Sequence, residues 1–407
     1  MFDTPSYVFD IDVFRERIRR TKEALPNMPL TFSIKANPFL LVDMPDDISH
    51  VEVCSPGELA ICKYYNVPGS RIIYSGVNKE LSDITEAMSY SISPVCETNG
   101  RSGDACRCDG YGVDIVTAES ILHVELEQKA ASSLEKKQKV LLRLTGGNQF
   151  GMSPEAVLSV LNRRDEYPNL EFIGIHYYSG TQKKEKQVKK DLDRLGSFLS
   201  KASDEAGWEP KLVEYGPGLA VDYFTTPYDE TDYQLLESVA SEIIAFSKKY
   251  PLGIEMGRFL ASSCGTYYTS VMDIKCNEDV NYVICDGGIH HIKYHGQTLA
   301  MQIPPINVYR DGEMVAGEGI VDAGAKLDYC LCGSLCTVAD VLVREVSLPE
   351  LKIGDVLSFG RCGAYSVTEG SSLFLSRKMP KVYVCDETSG TRLLRNFVDS
   401  SSINRGM

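Results

Sequence analysis

Five short stretches place polar, reactive side chains at the ends of apolar runs. Lys35 follows Thr31-Phe32-Ser33-Ile34 and is cut off by Asn37-Pro38; the others are Glu52-Val53-Cys54-Ser55, His176-Tyr177-Tyr178-Ser179-Gly180, Gly216-Pro217-Gly218 and Glu255-Met256-Gly257-Arg258. Singly, each has an ordinary explanation: a solvated lysine, a packed histidine, turn glycines, an ion pair between Glu255 and Arg258. Jointly they have one chemistry. A lysine aimed into a desolvated site sheds its proton and attacks a carbonyl as a Schiff-base amine. Gly216 and Gly218 permit close backbone approach, so that N–H groups there hold a phosphate, with Arg258 and Ser179 as further donors. His176 is placed to lie flat on an aromatic ring, and Glu255 to keep a ring nitrogen protonated. The set fits a phosphate-bearing aromatic aldehyde, pyridoxal 5'-phosphate, held as an imine on Lys35.

The elements that must position these residues alternate. Strand-like runs fall at Leu30–Lys35, His50–Cys54, Arg71–Ser75, Val113–Thr117, Val140–Leu144, Leu170–Ile175, Lys211–Tyr215 and Leu252–Glu255, with helical runs such as Pro56–Tyr65, Lys79–Ser89, Pro154–Arg164 and Glu185–Ala206 between them. Eight strands alternating with helices predict an α/β fold, a (β/α)8 barrel, with the reactive stretches at the C-terminal strand ends where such barrels keep their chemistry. An open doubly wound sheet fits the same alternation, but no GxGxxG turn follows the first strand. Beyond about Leu260 the pattern becomes β-rich and broken by turns: Cys264–Lys275, Asn281–Cys285, Gln302–Tyr309, Leu335–Val346, Asp355–Phe359, Ala364–Thr368 and Lys381–Cys385. The expected organisation is a cofactor-binding barrel over 1–260, an all-β domain over 261–385 and a loose tail over 386–407. Residues 4–10 read as a strand, with residues 1–10 pairing with the β domain, and Ile11–Leu25 as an amphipathic helix. Ser91–Gly110 interrupts an ordinary helix-to-strand join and reads as an inserted surface excursion.

A net charge of −14 and a pI near 5.0 argue against nucleic-acid binding. The opening residues lack the basic and apolar regions of a signal peptide, and no run reaches the roughly 18 apolar residues of a membrane span. A soluble, cytoplasmic protein is therefore expected. The 13 cysteines are scattered through apolar contexts, which suggests reduced, mostly buried thiols. Cys96, Cys106 and Cys108 form no CxxC pair and have no histidine nearby, so no metal site is expected. One charge run stands out: Lys183, Lys184, Lys186, Lys189 and Lys190, five lysines within eight residues of an acidic chain. It reads as a solvated helix face or as a docking patch for an acidic partner.

The stretches SIKANP at 33–38, VEVCSPGEL at 51–59, GIHYYSGTQ at 174–182, EMGR at 255–258, CDGGIHH at 285–291, CGSLCTVAD at 332–340 and GAYSVT at 363–368 run in order through nearly the whole chain. In these the sequence resembles the alanine-racemase-fold (fold type III) pyridoxal-phosphate decarboxylases that act on ornithine, diaminopimelate and arginine. It also resembles their carrier-protein branch, which decarboxylates a glutamyl group held on an acyl carrier protein. The resemblance implies that Lys35 carries the cofactor, His176 stacks on its ring and Glu255 binds the ring nitrogen. It implies that Ser179, Gly216, Gly218, Arg258 and Tyr365 serve the phosphate. Cys336 would reach in from the partner subunit of a head-to-tail homodimer and protonate Cα.

Two departures matter. Pro217 interrupts the usual glycine trio and removes an N–H donor. Thr337 stands beside Cys336 where relatives acting on basic substrates carry Asp or Glu, so a distal ammonium loses its grip and a derivatised or carrier-bound amino acid becomes the expected substrate, ahead of free diaminopimelate, ornithine or lysine. An amino-acid racemase of the same fold is the rival; Glu255 argues against it, because such racemases resemble one another in placing an arginine at the ring nitrogen. A non-catalytic relative would not be expected to keep Lys35, Glu255, Arg258 and Cys336 together.

Overall fold

In the computed structural model, which describes residues 2–92, 111–224, 228–317 and 325–405, eight short parallel strands close into a barrel. A separate strand, β1 (Ser6–Asp10), precedes them. The barrel strands are β2 (Leu30–Ser33), β3 (His50–Val53), β4 (Ile72–Tyr74), β5 (Ile115–Ala118), β6 (Gln138–Arg143), β7 (Leu170–Tyr178), β8 (Leu212–Gly216) and β9 (Leu252–Met256). Most of their residues are buried, because helices cover the outside and side chains fill the inside, and this is why they read as unbroken apolar runs. Ile73, Ile115, Leu141 and Ile173 form one apolar cluster across four neighbouring strands, with Leu212 packed against it.

Helices return the chain between most strands: Pro56–Tyr64, Leu81–Met88, Ile121–Ser133, Pro154–Asn162, Glu185–Ala206 and Tyr228–Ser247. Three of the starts are legible locally. Ser55, Ser120 and Ser153 cap their helices by accepting the N–H of Glu58, His123 and Ala156.

Two strand ends differ from expectation in ways that matter for chemistry. β2 stops at Ser33, and Lys35 lies in a 3-10 turn, Ile34–Ala36, rather than on the strand. Asn37 starts the next 3-10 segment by accepting the Phe39 N–H, with Pro38 at its first position. β7 runs three residues past Ile175, so His176 sits inside the strand rather than beyond its end.

The second unit comprises Met1–Arg17, Val221–Asp232 and Leu260–Met407, whereas the first comprises Ile18–Ala220 and Tyr233–Phe259. Residues 1–17 and 221–232 thus group with the chain from Leu260 onward. The second unit is a ten-stranded sheet built on β10 (Gly265–Asn277), β11 (Val280–Cys285), β12 (Ile306–Arg310), β13 (Glu313–Ala316), β14 (Lys326–Cys332), β15 (Val341–Pro349), β16 (Val356–Phe359), β17 (Lys381–Asp386) and β18 (Gly390–Arg395), with β1 inserted between β10 and β17. β1 runs antiparallel to β10 and parallel to β17.

Three expectations for this unit are corrected. Residues 386–407 are not simply a loose tail: β18 pairs with β17, and Ser401–Asn404 forms a short helix. Ala364–Thr368 is a turn, because Tyr365 has a positive φ of 67° and its carbonyl accepts the N–H groups of Thr368 and Glu369. Residues 335–340 are also a turn, and the strand begins at Val341. The excursion expected at 91–110, with Cys96, Cys106 and Cys108, falls at 93–110 outside the described residues. Among the described residues all ten cysteines are free thiols, five of them buried. No helix among those residues is long and apolar enough to cross a membrane.

Candidate active site

Register brings the reactive side chains together at one end of the barrel. Ser33 lies opposite Glu52, Thr31 opposite both His50 and Glu255, and His176 opposite both Arg143 and Glu214. Lys35, one turn beyond β2, donates from Nζ to Glu52 Oε2 at 2.9 Å and to Cys54 Sγ at 3.5 Å. Its side chain is 37% exposed while that of Glu52 is 2% exposed, so the ammonium faces the mouth and its counter-charge is sunk in the wall. Cys54 Sγ donates to the other Glu52 oxygen at 3.0 Å. Burial and the Glu52 carboxylate push the Cys54 thiol far up, which keeps it a neutral donor.

Glu255 is fixed from two sides. Ser33 Oγ donates to Oε1 at 3.0 Å, and His176 Nε2 meets Oε2 at 2.9 Å. Burial by itself raises this carboxyl, but the charge and hydrogen bond of His176, with Lys35 and Ser33, outweigh it and hold Glu255 below the usual carboxylate range. His176 is 2% exposed, and its Nδ1 finds no hydrogen-bond partner among the described residues.

Glu214 is a third carboxyl in the same interior. It is fully buried, and its Oε1 finds no partner among the described residues. Burial and then the neighbouring Glu255 charge raise it to about 8, with Thr31 lowering it and the Glu52 charge adding the smallest rise. Gly253 leaves it room: a Cβ there would stand 2.5 Å from Glu214 Oε2.

The loops after β7 and β8 form a cup. Gly218 has φ of 57°, and a Cβ on it would meet Gly180 O at 2.0 Å; one on Gly216 would meet the Tyr178 ring at 2.7 Å. At 218 the opposed Gly180 backbone and the positive φ leave room only for glycine, and at 216 the Tyr178 ring takes the space a Cβ would need. Arg258, at the start of a short helix after β9, donates from Nε to Thr181 Oγ1 at 3.2 Å on the same loop. Ser179 lies here too, but its hydroxyl is turned to Asp191, at 2.8 Å to Oδ1 and 3.0 Å to Oδ2.

Asp191 also takes Lys183 Nζ at 2.5 Å, and this corrects the lysine run. Lys183 is buried at 6% exposure, so it is no part of a solvated patch; Lys184, Lys186, Lys189 and Lys190 are exposed. Tyr365 and Cys336 belong to the sheet unit. Tyr365 is partly buried in its turn, and Cys336 is exposed between Leu335 and Thr337.

Residues 7–363 match the family described as pyridoxal-dependent decarboxylase, C-terminal sheet domain. The chain belongs to that family. Diaminopimelate decarboxylase of Aquifex aeolicus is 23% identical over 425 residues, covering 97% of this chain and 89% of the relative. The L-glutamyl-[BtrI acyl-carrier protein] decarboxylase of Niallia circulans is 26% identical over 411 residues, covering 93% and 88%. The solved diaminopimelate decarboxylase of Helicobacter pylori, complexed with L-lysine, superposes with a TM-score of 0.80 at 19% identity, over 100% of this chain and 97% of that one, and so shares the fold.

The chain is thus a pyridoxal-phosphate-dependent amino-acid carboxy-lyase. Its barrel suits the cofactor on three counts. An amine stands at the mouth beside a buried carboxylate, a second carboxylate is held ionised behind it, and a glycine cup lies at the next strand ends.

Sequence reasoning named Glu52 only as part of a reactive stretch, put Lys183 in a solvated or docking run, and gave no role to Ser33, Glu214 or Asp191. A signal existed for Glu52 and Glu214: each is a lone acid inside an apolar strand, in His50-Val51-Glu52-Val53 and Leu212-Val213-Glu214-Tyr215.

Proposed function

We propose that this decarboxylase acts on an α-amino-acid derivative whose distal end carries no free ammonium, presented by an acyl carrier protein, and that it works as a homodimer. The observation that carries the reading is the fate of the acid in the Cys336 loop. Asp340, the one acidic residue between Gly333 and Val341, is buried, with Oδ1 accepting the Ile289 N–H at 2.8 Å and Oδ2 the Leu335 N–H at 2.7 Å. Thr337, next to Cys336, takes the Ala339 N–H on its own hydroxyl. The loop therefore offers a cationic substrate end no unengaged carboxylate.

In this reading the cofactor, when bound, supplies the electron sink for the pair released as carbon dioxide leaves. Glu52 Oε2 takes the proton that Lys35 Nζ must lose to become a nucleophile. Glu255, ionised and tethered by Ser33 and His176, holds the proton on the ring nitrogen; each of its oxygens keeps a second lone pair for that purpose. His176 would orient the ring, and Ser179, Gly216, Gly218 and Arg258 would hold the phosphate. Cys336 returns a proton to Cα.

Two outcomes test the reading. Cys336→Ala should leave cofactor absorbance intact and slow turnover by roughly a hundredfold, the scale of a lost general acid, or shift the product toward aldehyde; wild-type turnover to clean amine removes Cys336 from the mechanism. Mixing Lys35→Ala with Cys336→Ala protein should restore part of the activity if two subunits share a site, and no recovery after verified subunit exchange would mean that each site is built from one chain.

The substrate is tested by carbon dioxide release from free amino acids, their amides and carrier-protein thioesters. Changing exposed Lys184, Lys186 and Lys190 to Glu should raise KM for a carrier-bound substrate several-fold and weaken its salt dependence, because screening acts on this kind of attraction. A small thioester mimic should react as before. Comparable rates on free diaminopimelate would replace the carrier reading.

A further inference from the structure

The cup at the ends of β7 and β8 contains a contradiction. A serine hydroxyl has one proton, and that of Ser179 is given to Asp191. Facing a phosphate in that state, Ser179 offers lone pairs to an anion. To donate to the phosphate it must turn away from Asp191, which would leave a buried carboxylate short of a donor, a costly event in a desolvated setting.

Asp191 has other partners that stay. Lys183 Nζ is bonded to Oδ2 at 2.5 Å, and Tyr177 donates its hydroxyl to Oδ1 at 3.3 Å. Lys183 and Asp191 side chains are 7% and 10% exposed, so the ion pair is little screened. Lys183 is also stitched to the glycine loop through its backbone: its N–H donates to Gly218 O at 2.9 Å, and its carbonyl accepts the Ala220 N–H at 3.0 Å. One residue thus joins the two loops of the cup and holds the carboxylate that competes for Ser179.

We infer that Lys183 is a positioning residue for phosphate binding: by keeping Asp191 paired, it frees the Ser179 hydroxyl to turn from Asp191 to the cofactor phosphate. This rests on the reading that Ser179 and the glycine loop take the phosphate. Lys183 acts through Asp191 and touches no reacting atom.

The test compares binding of pyridoxal 5'-phosphate with binding of pyridoxal, which lacks the phosphate, by equilibrium dialysis against the full-length chain stripped of cofactor. The ratio of the two dissociation constants measures phosphate preference without reference to turnover. Wild type should prefer the phosphorylated form strongly; if it does not, the cup reading itself fails, whatever Lys183 does.

Lys183→Met should lower the preference by about tenfold or more, the size of a lost hydrogen bond to a charged group, while pyridoxal binding stays as in wild type. Lys183→Arg should retain it. Lys183→Met/Asp191→Asn, which removes the competing carboxylate as well, should recover most of it. Equal losses for both ligands, no loss, or a double variant as poor as Lys183→Met would each overturn the inference. Should Lys183→Met fail to fold, the arginine variant and the double variant decide: both should keep the wild-type preference, and loss of it in either is the contrary result.

Discussion

Lys35→Ala is expected to cut carbon dioxide release by roughly a thousandfold or more, the scale of a lost nucleophile that also handles a proton. Borohydride reduction of the wild-type holoenzyme should fix a pyridoxyl mass on the peptide containing Lys35, and the variant should carry none. The structure separates Lys35 from the other buried-site lysines. Lys79 is enclosed with Glu127, at side-chain exposures of 1% and 0%, and Lys183 is committed to Asp191. Lys35 alone of these three faces the mouth while its counter-ion is buried.

The variant would also strip Glu52 of its ammonium partner, and an unpaired buried carboxylate is destabilising in its own right. Lys35→Arg controls for that. The guanidinium keeps a positive charge beside Glu52 but cannot shed its proton to attack. Both variants should therefore be inactive, with the arginine form melting closer to wild type. Activity in Lys35→Arg near that of wild type, or label on another lysine, would remove Lys35 from the chemistry.

The barrel was legible because its strands are buried on both sides and read as continuous apolar runs between helical periods. Their ends were not, since where a strand gives way to a turn depends on tertiary hydrogen bonds: Lys35 falls beyond β2 and His176 within β7. The sheet unit was harder. Lys326–Cys332 and Gly390–Arg395 are strands with long exposed stretches and no clean alternation, whereas Ala364–Thr368 looks extended but bends at Tyr365.

In the site, Lys35, His176 and Glu255 were visible as polar residues within or at the ends of apolar runs. Lys183 was hidden among lysines that truly are solvated. The clue lay on its partner. Val188, Asp191, Leu192, Leu195, Phe198 and Leu199 form the buried stripe of one helix, and an aspartate in such a stripe must be paired inside. Which lysine pairs with it is decided by the fold, because position 183 is held against the glycine loop before the helix begins.

Glu214→Gln is expected to change the pH dependence of stability more than any other single substitution in the barrel. Three carboxyls share the interior, and two have cationic or histidine partners: Glu52 has Lys35 and Glu255 has His176. Glu214 has neither on its Oε1, and burial with the Glu255 and Glu52 charges raises it from 4.5 to about 8. At pH 7 it is therefore a neutral acid beside an ionised one.

The direction of its linkage follows from proton counting. Between 4.5 and about 8 the unfolded chain has released this proton and the folded chain still holds it, so stability declines as pH rises through that window. The stabilisation is fully present below 4.5 and gone above about 8. A shift of this size corresponds to a few kcal/mol, on the order of 1.4 per unit.

Glutamine keeps the shape and stays neutral at every pH. Denaturant midpoints of wild type and Glu214→Gln should lie close together near pH 5 and diverge toward pH 9, with the variant the more stable. Above pH 8 the wild type gains a second negative charge next to Glu255, so its cofactor retention should also fall there, and that of the variant should not. Parallel pH curves for the two proteins would mean that Glu214 is ionised throughout, and that its charge is balanced by a partner other than the groups facing it here.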